Sequence, residues 1–383
     1  MKYTAIAAGY LCLDIIPQIY SESSGKGFAY VPGKLEEIGS TAFAPGGAAA
    51  NTGLALNKLG IKTGLSGRIG RDPFGLILKN ILSGYGADNY FIREDEHHAT
   101  GHTFILNPPG QDRMFMVHSG ANDFFCAEDL PSISLDGIKL LHFGYPPLLK
   151  KSFRNLGEDT KTLFKSARNS GVITSLDMSL PDPASEAGTV DWPQWLKNVL
   201  PEVDIFLPSL EEIMFMLDGK MADDLSCNSR MIEADMLFRL SGKLIDLGVA
   251  IVCIKMGSNG IYLRTSSDLS RLSEIVEKPE NWQNIELIAP CFDADVKGTT
   301  GAGDCTIAGF LAGVLKGFGP AQAAAFACAA GSSNVEAADS LSGLMDDDAL
   351  LRRIKDGWKI CPGRLDFEKW RLNGDNIFVR KQL

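Results

Sequence analysis

The chain has 383 residues, of which 45% are hydrophobic and 22% are charged, and its formal net charge is −10. A chain of this size and composition is globular, buries a large core and exceeds the length at which one core usually stops growing. The acidic balance disfavours nucleic acid and anionic membranes as partners, but a locally positive nucleotide site stays compatible with it.

The N-terminus and the cysteines favour a cytoplasmic protein. Residues 1–9 carry one positive charge and an apolar run too short for a signal peptide, so we interpret them as a first buried strand. No apolar run approaches membrane-spanning length. None of the eight cysteines belongs to a C-x-x-C pair, which disfavours a zinc site and favours reduced core thiols.

Short β-branched runs alternate with helical patterns along most of the chain. Examples are predicted strands at 4–8 and 250–255 and predicted helices at 48–59 and 153–170. Strands that alternate with helices indicate a parallel sheet covered on both faces. The sequence therefore predicts an α/β fold with a doubly wound, mainly parallel sheet flanked by helices.

Two segments interrupt this alternation. Residues 15–45 and 100–124 contain turn residues and short extended pieces without a helical period, and the second reads as a β-hairpin. We predict that both form a small β-sheet lid subdomain, and that residues 1–14, 46–99 and 125–383 form the main domain. No function is evident in the tail after Leu350.

Two segments near the N-terminus contain residues suited to binding a polyol. Asp14 follows the first strand, and a carboxylate can accept two hydroxyl hydrogen bonds, although a solvated turn acid is the alternative. Gly46 and Gly47 precede an alanine-rich helix that contains Asn51, and the alternative there is a plain strand-to-helix turn.

The most informative segment, 298–309, reads Gly-Thr-Thr-Gly-Ala-Gly-Asp and then enters an apolar helix. Its small residues let backbone N–H groups approach a ligand at a helix N-terminus, where an anion such as phosphate is favoured. No Gly-Lys-Ser/Thr follows, so this is not a Walker A loop. Asp304 either favours the helix N-terminus or accepts a proton from a hydroxyl that attacks the phosphate.

The same segment resembles the D-T-T-G-A-G-D-x-F-x-x-G signature of the ribokinase-like, PfkB-type carbohydrate kinases, with T-T-G-A-G-D matched residue for residue. The resemblance implies a ribokinase-like fold, Asp304 as catalytic base, and an anion hole formed by Gly301, Ala302 and Gly303. Gly298 replaces an aspartate that helps to hold a monovalent cation in several members. The need for such a cation therefore stays open.

The resemblance also assigns the substrate side. Gly46, Gly47 and Asn51 match the family's G-G-x-x-x-N element, and Asp14 matches its substrate aspartate. Asn122 falls in a G-A-N sequence and either borders the substrate or serves a turn. The sequence leaves open whether Tyr145, after the strand at 138–143, lines the pocket or only packs.

On the nucleotide side, Ser209 and Glu212 resemble the family's N-x-x-E motif, which organises magnesium and phosphate largely through water. Lys255, Gly257 and Gly260 resemble the turn that flanks the nucleotide, although a plain β-turn gives the same pattern. Asn334 falls where the family's adenine pocket lies.

We therefore expect an ATP-dependent kinase that uses Mg²⁺ and phosphorylates a hydroxyl of a small sugar-like substrate. Lid-to-lid contacts in the family raise the expectation of a homodimer. The alternatives are an adenosine-type nucleoside kinase of the same superfamily and a catalytically silent sugar-binding regulatory member. An intact Asp304 in a glycine-rich turn argues against the silent alternative.

Overall fold

The structure is a computed structural model. It describes residues 3–20, 32–33, 35, 37–108, 114–130, 137–218, 232–273, 275–276, 278–361, 363–364, 367–374 and 376–380. Among them, no helix is both long enough and apolar enough to cross a membrane.

The largest feature is a twisted sheet that runs through the centre of the molecule. Eleven strands of the described residues form it, in the order β16-β17-β13-β12-β11-β10-β9-β8-β1-β4-β5. The strands from β5 to β11 in that order are mutually parallel, and the remaining four are antiparallel. The strands are β1 (Ala5–Gly9), β4 (Thr63–Gly70), β5 (Ile92–Asp95), β8 (Leu140–Gly144), β9 (Ile173–Leu176), β10 (Ile205–Phe206), β11 (Ile251–Lys255), β12 (Ile261–Thr265), β13 (Glu286–Ala289), β16 (Trp370–Leu372) and β17 (Phe378–Arg380).

Helices cover both faces of this sheet. They are α1 (Ala48–Lys58), α2 (Pro73–Gly84), α3 (Lys150–Phe153), α4 (Glu158–Asn169), α5 (Trp192–Val199), α6 (Leu210–Asp218), α7 (Ala234–Asp246), α8 (Ala302–Leu315), α9 (Pro320–Asn334) and α10 (Asp347–Lys355). Successive residues of β11 face two different apolar clusters, with Ile251 and Cys253 in one and Val252 and Ile254 in the other. The sheet is therefore buried on both sides, as the continuous apolar run predicts.

A second, four-stranded sheet stands apart, in the order β3-β2-β6-β7. Its strands are β2 (Cys12–Pro17), β3 (Thr41–Gly46), β6 (His102–Leu106) and β7 (Met114–His118). β6 and β7 pair antiparallel, as the predicted hairpin requires. Its turn at 109–113 and the part of the first insertion at 21–31, 34 and 36 lie outside the described residues.

One segment differs from the sequence-based expectations. The helix predicted at 153–170 is divided into α3 and α4, because Asn155 and Leu156 adopt left-handed backbone angles between them. The tail contributes β16 and β17 to the central sheet, and a short strand, β15 (Ile360–Cys361), pairs with β14 (Cys291–Phe292). Part of the tail is thus built into the main body of the fold.

Candidate active site

The candidate site lies at the carboxyl ends of the parallel strands. A cavity of about 620 Å³ opens there, and the residues that follow β8, β9, β10 and β11 line it together with the start of α8. Ligands of open parallel sheets bind at this edge, in the crevice beyond the strand ends. The lining residues that the sequence analysis had singled out are Tyr145, Ser209, Glu212, Lys255, Gly257, Gly260, Gly301, Ala302, Gly303 and Asp304.

The start of α8 forms one wall of the cavity. Gly301 precedes the helix with a φ of 72°, and a Cβ there would lie 2.4 Å from the carbonyl oxygen of Ser340. Glycine is therefore required at Gly301 for both backbone and steric reasons. Gly303 has more room, since its added Cβ would meet the Lys255 side chain at ordinary contact distance, 3.8 Å. The first turn of α8 and the lysine thus face the same space.

Asp304 lies in the first turn of α8 and is only 4% exposed. Its Oδ2 accepts a hydrogen bond from Asn51 Nδ2 at 3.1 Å, and its Oδ1 accepts one from Thr52 Oγ1 at 3.4 Å. The hydroxyl of Tyr145 donates to both carboxylate oxygens at 2.9 Å. Residues from α1 and from the turn after β8 therefore hold this carboxylate in place.

Opposing influences act on the pKa of Asp304. Burial raises the pKa, while the hydrogen bond from Tyr145 and the charge of Lys255 lower it, and the net shift is upward. A carboxyl group with a raised pKa is a better proton acceptor when it is ionised. Its position beside a helix N-terminus matches the requirement for a base next to a bound phosphoryl group.

Lys255 stands next to the buried carboxylates of Asp177 and Glu212, and the charge of Asp304 also acts on it. Its ammonium group pairs with Asp177 and donates to the carbonyl oxygen of Leu207 at 2.7 Å. Burial alone would lower the pKa of Lys255, but the attraction of Asp177 and Glu212 outweighs it and raises the pKa. Burial raises the pKa of Asp177 and of Glu212. The lysine keeps its proton, so this end of the cavity is an ion cluster rather than a neutral pocket.

Ser209 and Glu212 bind each other at the start of α6. The backbone N–H of Ser209 donates to Glu212 Oε2 at 2.6 Å, and the N–H of Glu212 donates to Ser209 Oγ at 3.1 Å. This reciprocal pair has the form of a capping box. It fixes the Glu212 carboxylate at the cavity wall, next to Lys255.

Asp14 and the two glycines lie near the start of α1, and neither they nor Asn51 are among the described residues that line the cavity. Asp14 lies in β2, and a Cβ added to Gly46 would lie 2.5 Å from the Asp14 carboxylate. Gly47 has a φ of 88°, and its added Cβ would lie 2.3 Å from the carbonyl oxygen of Tyr10. Close packing therefore requires glycine at both Gly46 and Gly47. Burial raises the pKa of Asp14 to about 6, against hydrogen bonds from Cys12 and Thr103 that lower it.

The side chains of Asn122 and Asn334 form hydrogen bonds with backbone atoms of the protein. The side chain of Asn122 is fully buried and bonds to the backbone N–H and carbonyl of Leu11 and to the carbonyl of Ser119. This favours the turn role that the sequence analysis left open. Asn334 donates to the carbonyl oxygen of Thr300 at 3.0 Å and braces the glycine-rich turn. Within the described residues, neither contributes to the cavity lining.

Gly257 and Gly260, the two glycines near Lys255, favour glycine for different reasons. Gly260 has a φ of 85°, and a Cβ there would lie 2.0 Å from the carbonyl oxygen of Ala289. A Cβ on Gly257 would meet no atom within 4 Å, so the left-handed φ of 56° is what favours glycine there. Both line the cavity.

Sequence reasoning missed two functional candidates, Thr52 and Asp177, and left the role of Tyr145 open. Thr52 and Tyr145 contact the Asp304 carboxylate, and Asp177 pairs with Lys255. Asp177 directly follows β9, so its position after a buried parallel strand was a usable signal. Thr52 had no such signal, because it lies within a helix and 252 positions from its partner.

Comparisons with known proteins place the chain in a family. A family model described as pfkB family carbohydrate kinase matches residues 11–346. This chain therefore belongs to the pfkB family of carbohydrate kinases, which are ATP-dependent phosphotransferases with an alcohol group as acceptor.

Individual relatives are distant. The chain is 29% identical to Probable fructokinase-5 of Arabidopsis thaliana, over 57% of this chain and 64% of that protein. It is 24% identical to Fructokinase-2 of Oryza sativa subsp. japonica, over 81% and 80%. The chain thus spans just under two thirds of the first relative.

A solved structure of Arabidopsis thaliana ribokinase, complexed with ribose and ATP, matches with a TM-score of 0.69 and 20% identity, over 92% of this chain and 98% of that one. At this identity the likeness concerns the fold. The fold is ribokinase-like, as the glycine-rich signature implied.

Replacing Lys255 with methionine should lower the free energy of unfolding by about 3 kcal/mol at neutral pH, because two buried carboxylates lose their counter-charge. The loss should shrink as the pH falls, since burial raises the pKa of Asp177 and Glu212 and protonation removes the uncompensated charge. Urea unfolding between about pH 5 and pH 8 measures this dependence. Lys255→Arg, which keeps the charge, is the matched control. An equal loss at every pH would contradict the ion-cluster interpretation.

Proposed function

We propose that this kinase transfers the γ-phosphoryl group of ATP to a hydroxyl of a small sugar, with Asp304 as the general base. The observation that carries the proposal is the place of the Asp304 carboxylate, which is buried at the start of α8 and lines the cavity. Helix N-termini favour phosphate, and a carboxylate beside one is positioned to accept the proton of an attacking alcohol.

The anion hole follows from the same helix start. Gly301, Ala302 and Gly303 line the cavity in the turn that begins α8. Their N–H groups are the natural donors to the charge that develops on the migrating phosphoryl group. Positioning and electrostatics supply most of the catalysis in such a transfer, because the protein forms no covalent bond to the substrate.

Asp14, Gly46, Gly47 and Asn51 are proposed to bind the sugar. Asn51 supports the assignment because its amide reaches Asp304, which puts the α1 side of the site next to the base. Asp14 supports it because its carboxylate lies against Gly46 at the start of α1. The fructokinase names of the relatives make fructose the first sugar to test.

The nucleotide is proposed to lie along Ser209, Lys255, Gly257 and Gly260, which line the cavity. Asn334 would act at a distance by bracing the glycine-rich turn. Lys255 would neutralise phosphate charge. We propose no specific contact with the base of the nucleotide.

Magnesium fits the carboxylates of this region. Within the described part of the chain, no group of three ligating side chains forms a metal cluster. Mg²⁺ characteristically uses one or two carboxylates, keeps several waters and takes phosphate oxygens as ligands. We propose that Glu212 holds it through water and that Asp177 assists. Bound to ATP, the ion would neutralise charge on the phosphate oxygens. Dependence on a monovalent cation stays open.

We propose that the small sheet, with the insertions at 15–45 and 100–124, is a lid over the sugar site. Its strands reach slightly beyond the predicted boundaries, since β2 begins at Cys12 and β3 ends at Gly46. The main domain would comprise the remaining segments. A cytoplasmic location also stays a prediction.

Asp304→Asn should reduce the turnover number for sugar phosphorylation by about 100-fold or more, because the amide cannot accept the proton. A coupled assay of ADP release with ATP, Mg²⁺ and a panel of sugars and nucleosides measures this. Asp295→Asn, at an exposed position outside the cavity lining, is the matched control. Unchanged turnover in Asp304→Asn would sink the assignment of the base. Turnover with nucleosides alone, or sugar binding without ATP consumption, would favour the alternative functions.

The Michaelis constant for the sugar should rise as the pH falls through about 6, where Asp14 takes up a proton and loses acceptor capacity. Above that pH the carboxylate is ionised and binds hydroxyls at full strength. Initial rates at saturating ATP between about pH 5 and pH 8 test this. Asp14→Asn should have a higher Michaelis constant throughout and little dependence on pH in this window. The same pH dependence in both proteins would rule out Asp14 as its source.

A homodimer through the lid is proposed from the exposed apolar strand β7. Its residues Met114, Phe115, Met116 and Val117 are 57%, 50%, 51% and 54% exposed, and β7 is an edge of the lid sheet. Exposed apolar edges are sites of association. Met116→Glu should therefore shift the protein toward monomer in analytical ultracentrifugation. Leu76→Glu, at an equally exposed apolar position on α2, should not. A wild-type monomer at micromolar concentration would refute the dimer.

A further inference from the structure

Tyr145 occupies an unusual backbone position directly after β8. Its φ of 63° and ψ of 44° lie in the left-handed region, and Pro146 follows it. Non-glycine residues rarely adopt these angles, and a residue before proline normally prefers extended angles. Conformations of this kind cost about 1–3 kcal/mol and persist where the surrounding structure enforces them, often at functional sites.

The Tyr145 side chain uses this conformation to reach the Asp304 carboxylate. Its hydroxyl lies 2.9 Å from both carboxylate oxygens, so the O–H straddles the end of the group. Burial and the charge of Asp304 raise the pKa of Tyr145, which keeps the phenol protonated as a donor. The tyrosine is thus bound to the group to which the proposed reaction delivers a proton.

Three side-chain donors surround the Asp304 carboxylate in this state. A carboxylate offers about four lone-pair positions, two on each oxygen. Oδ2 accepts from Asn51 and Oδ1 accepts from Thr52, while the two oxygens share the single O–H proton of Tyr145. The phenol oxygen contacts both carboxylate oxygens, so a substrate hydroxyl that is to donate at the same edge of the carboxylate must displace it.

Tyr145 is the donor best placed to leave. Asn51 and Thr52 lie within α1 and are 9% and 0% exposed. Tyr145 lies in a turn rather than in a helix, and it lines the cavity together with Asp304. Its phenol borders the cavity, whereas Asn51 and Thr52 are not among the described residues that line it.

We propose that Tyr145 is a gate on the general base, which blocks Asp304 until the sugar hydroxyl displaces the phenol, and so suppresses phosphoryl transfer to water. This inference rests on the proposed role of Asp304. In the productive state, the sugar O–H donates to Asp304, its oxygen forms the bond to the γ-phosphorus, and the bond from that phosphorus to the bridging oxygen of ADP breaks. The proton passes to the carboxylate, and ADP leaves with the electron pair. Water entering without sugar finds the base occupied.

The test measures ADP release from ATP and Mg²⁺ in the absence of any sugar. Tyr145→Phe keeps the ring and removes the hydroxyl, so sugar-independent hydrolysis should rise about tenfold, the equivalent of one hydrogen bond to a charged group. Tyr262→Phe is the matched control, because that buried tyrosine also donates to a carboxylate, Glu286, at 3.0 Å, away from the cavity. It should leave hydrolysis unchanged.

A second variant guards against a folding defect. Asparagine tolerates left-handed backbone angles and is too short to reach the base, so Tyr145→Asn should show the same rise if the phenylalanine variant misfolds. The double variant Tyr145→Phe with Asp304→Asn should return hydrolysis to the wild-type level or below. A double variant that stays elevated would overturn the gate, because the extra hydrolysis would not use the base.

Failure of the gate and failure of the proposed function are separable. No rise in hydrolysis with either Tyr145 variant, while Asp304→Asn still abolishes sugar phosphorylation, overturns the gate and leaves the base in place. Full sugar phosphorylation by Asp304→Asn overturns the base, whatever Tyr145 does. An equal loss of hydrolysis and phosphorylation in Tyr145→Phe would make the tyrosine a positioning residue instead of a gate.

Discussion

The structure depends on keeping one carboxylate, Asp304, buried and usable. Removing an ionised carboxylate from water costs several kcal/mol unless hydrogen bonds and opposite charge offset it. Here the offset comes from Asn51 and Thr52 on α1, from Tyr145 after β8, and from the charge of Lys255. Two helices and two strand ends must therefore converge on one point, which ties the fold to the site.

Close helix packing makes this convergence geometrically possible. A Cβ added to Gly309 of α8 would lie 2.8–3.0 Å from atoms of Phe326, Ala327 and Ala330 on α9. Small residues along α8 and α9 let the two helices approach closely, so α8 is held firmly against α9. Asp304 consequently has little freedom, and control over its reactivity falls to the side chains around it. Among them, Tyr145 extends from a turn and lines the cavity.

Charged groups lie on both sides of the proposed site. On the proposed nucleotide side, Lys255 stands among Asp177, Glu212 and Asp304, and triphosphate and Mg²⁺ would have to bind there together. On the proposed sugar side, Asp14 lies against Gly46, and burial raises the pKa of Asp14 to about 6. An acidic protein can therefore bind an acidic nucleotide, provided that the metal and the lysine carry the compensating charge locally.

The sequence by itself determined the α/β fold, the glycine-rich helix start at Gly301 and the candidacy of Asp304, because these depend on local spacing and on residue chemistry. It also marked Gly46 and Gly47, whose need for glycine the structure explains by close contacts with Asp14 and Tyr10. The tertiary structure alone decided which side chains these residues contact. Thr52 and Tyr145 meet Asp304 across 252 and 159 positions, and Asn122 turns out to clamp backbone. Local sequence patterns do not predict contacts over such separations, because a contact between remote segments is fixed by how strands and helices pack.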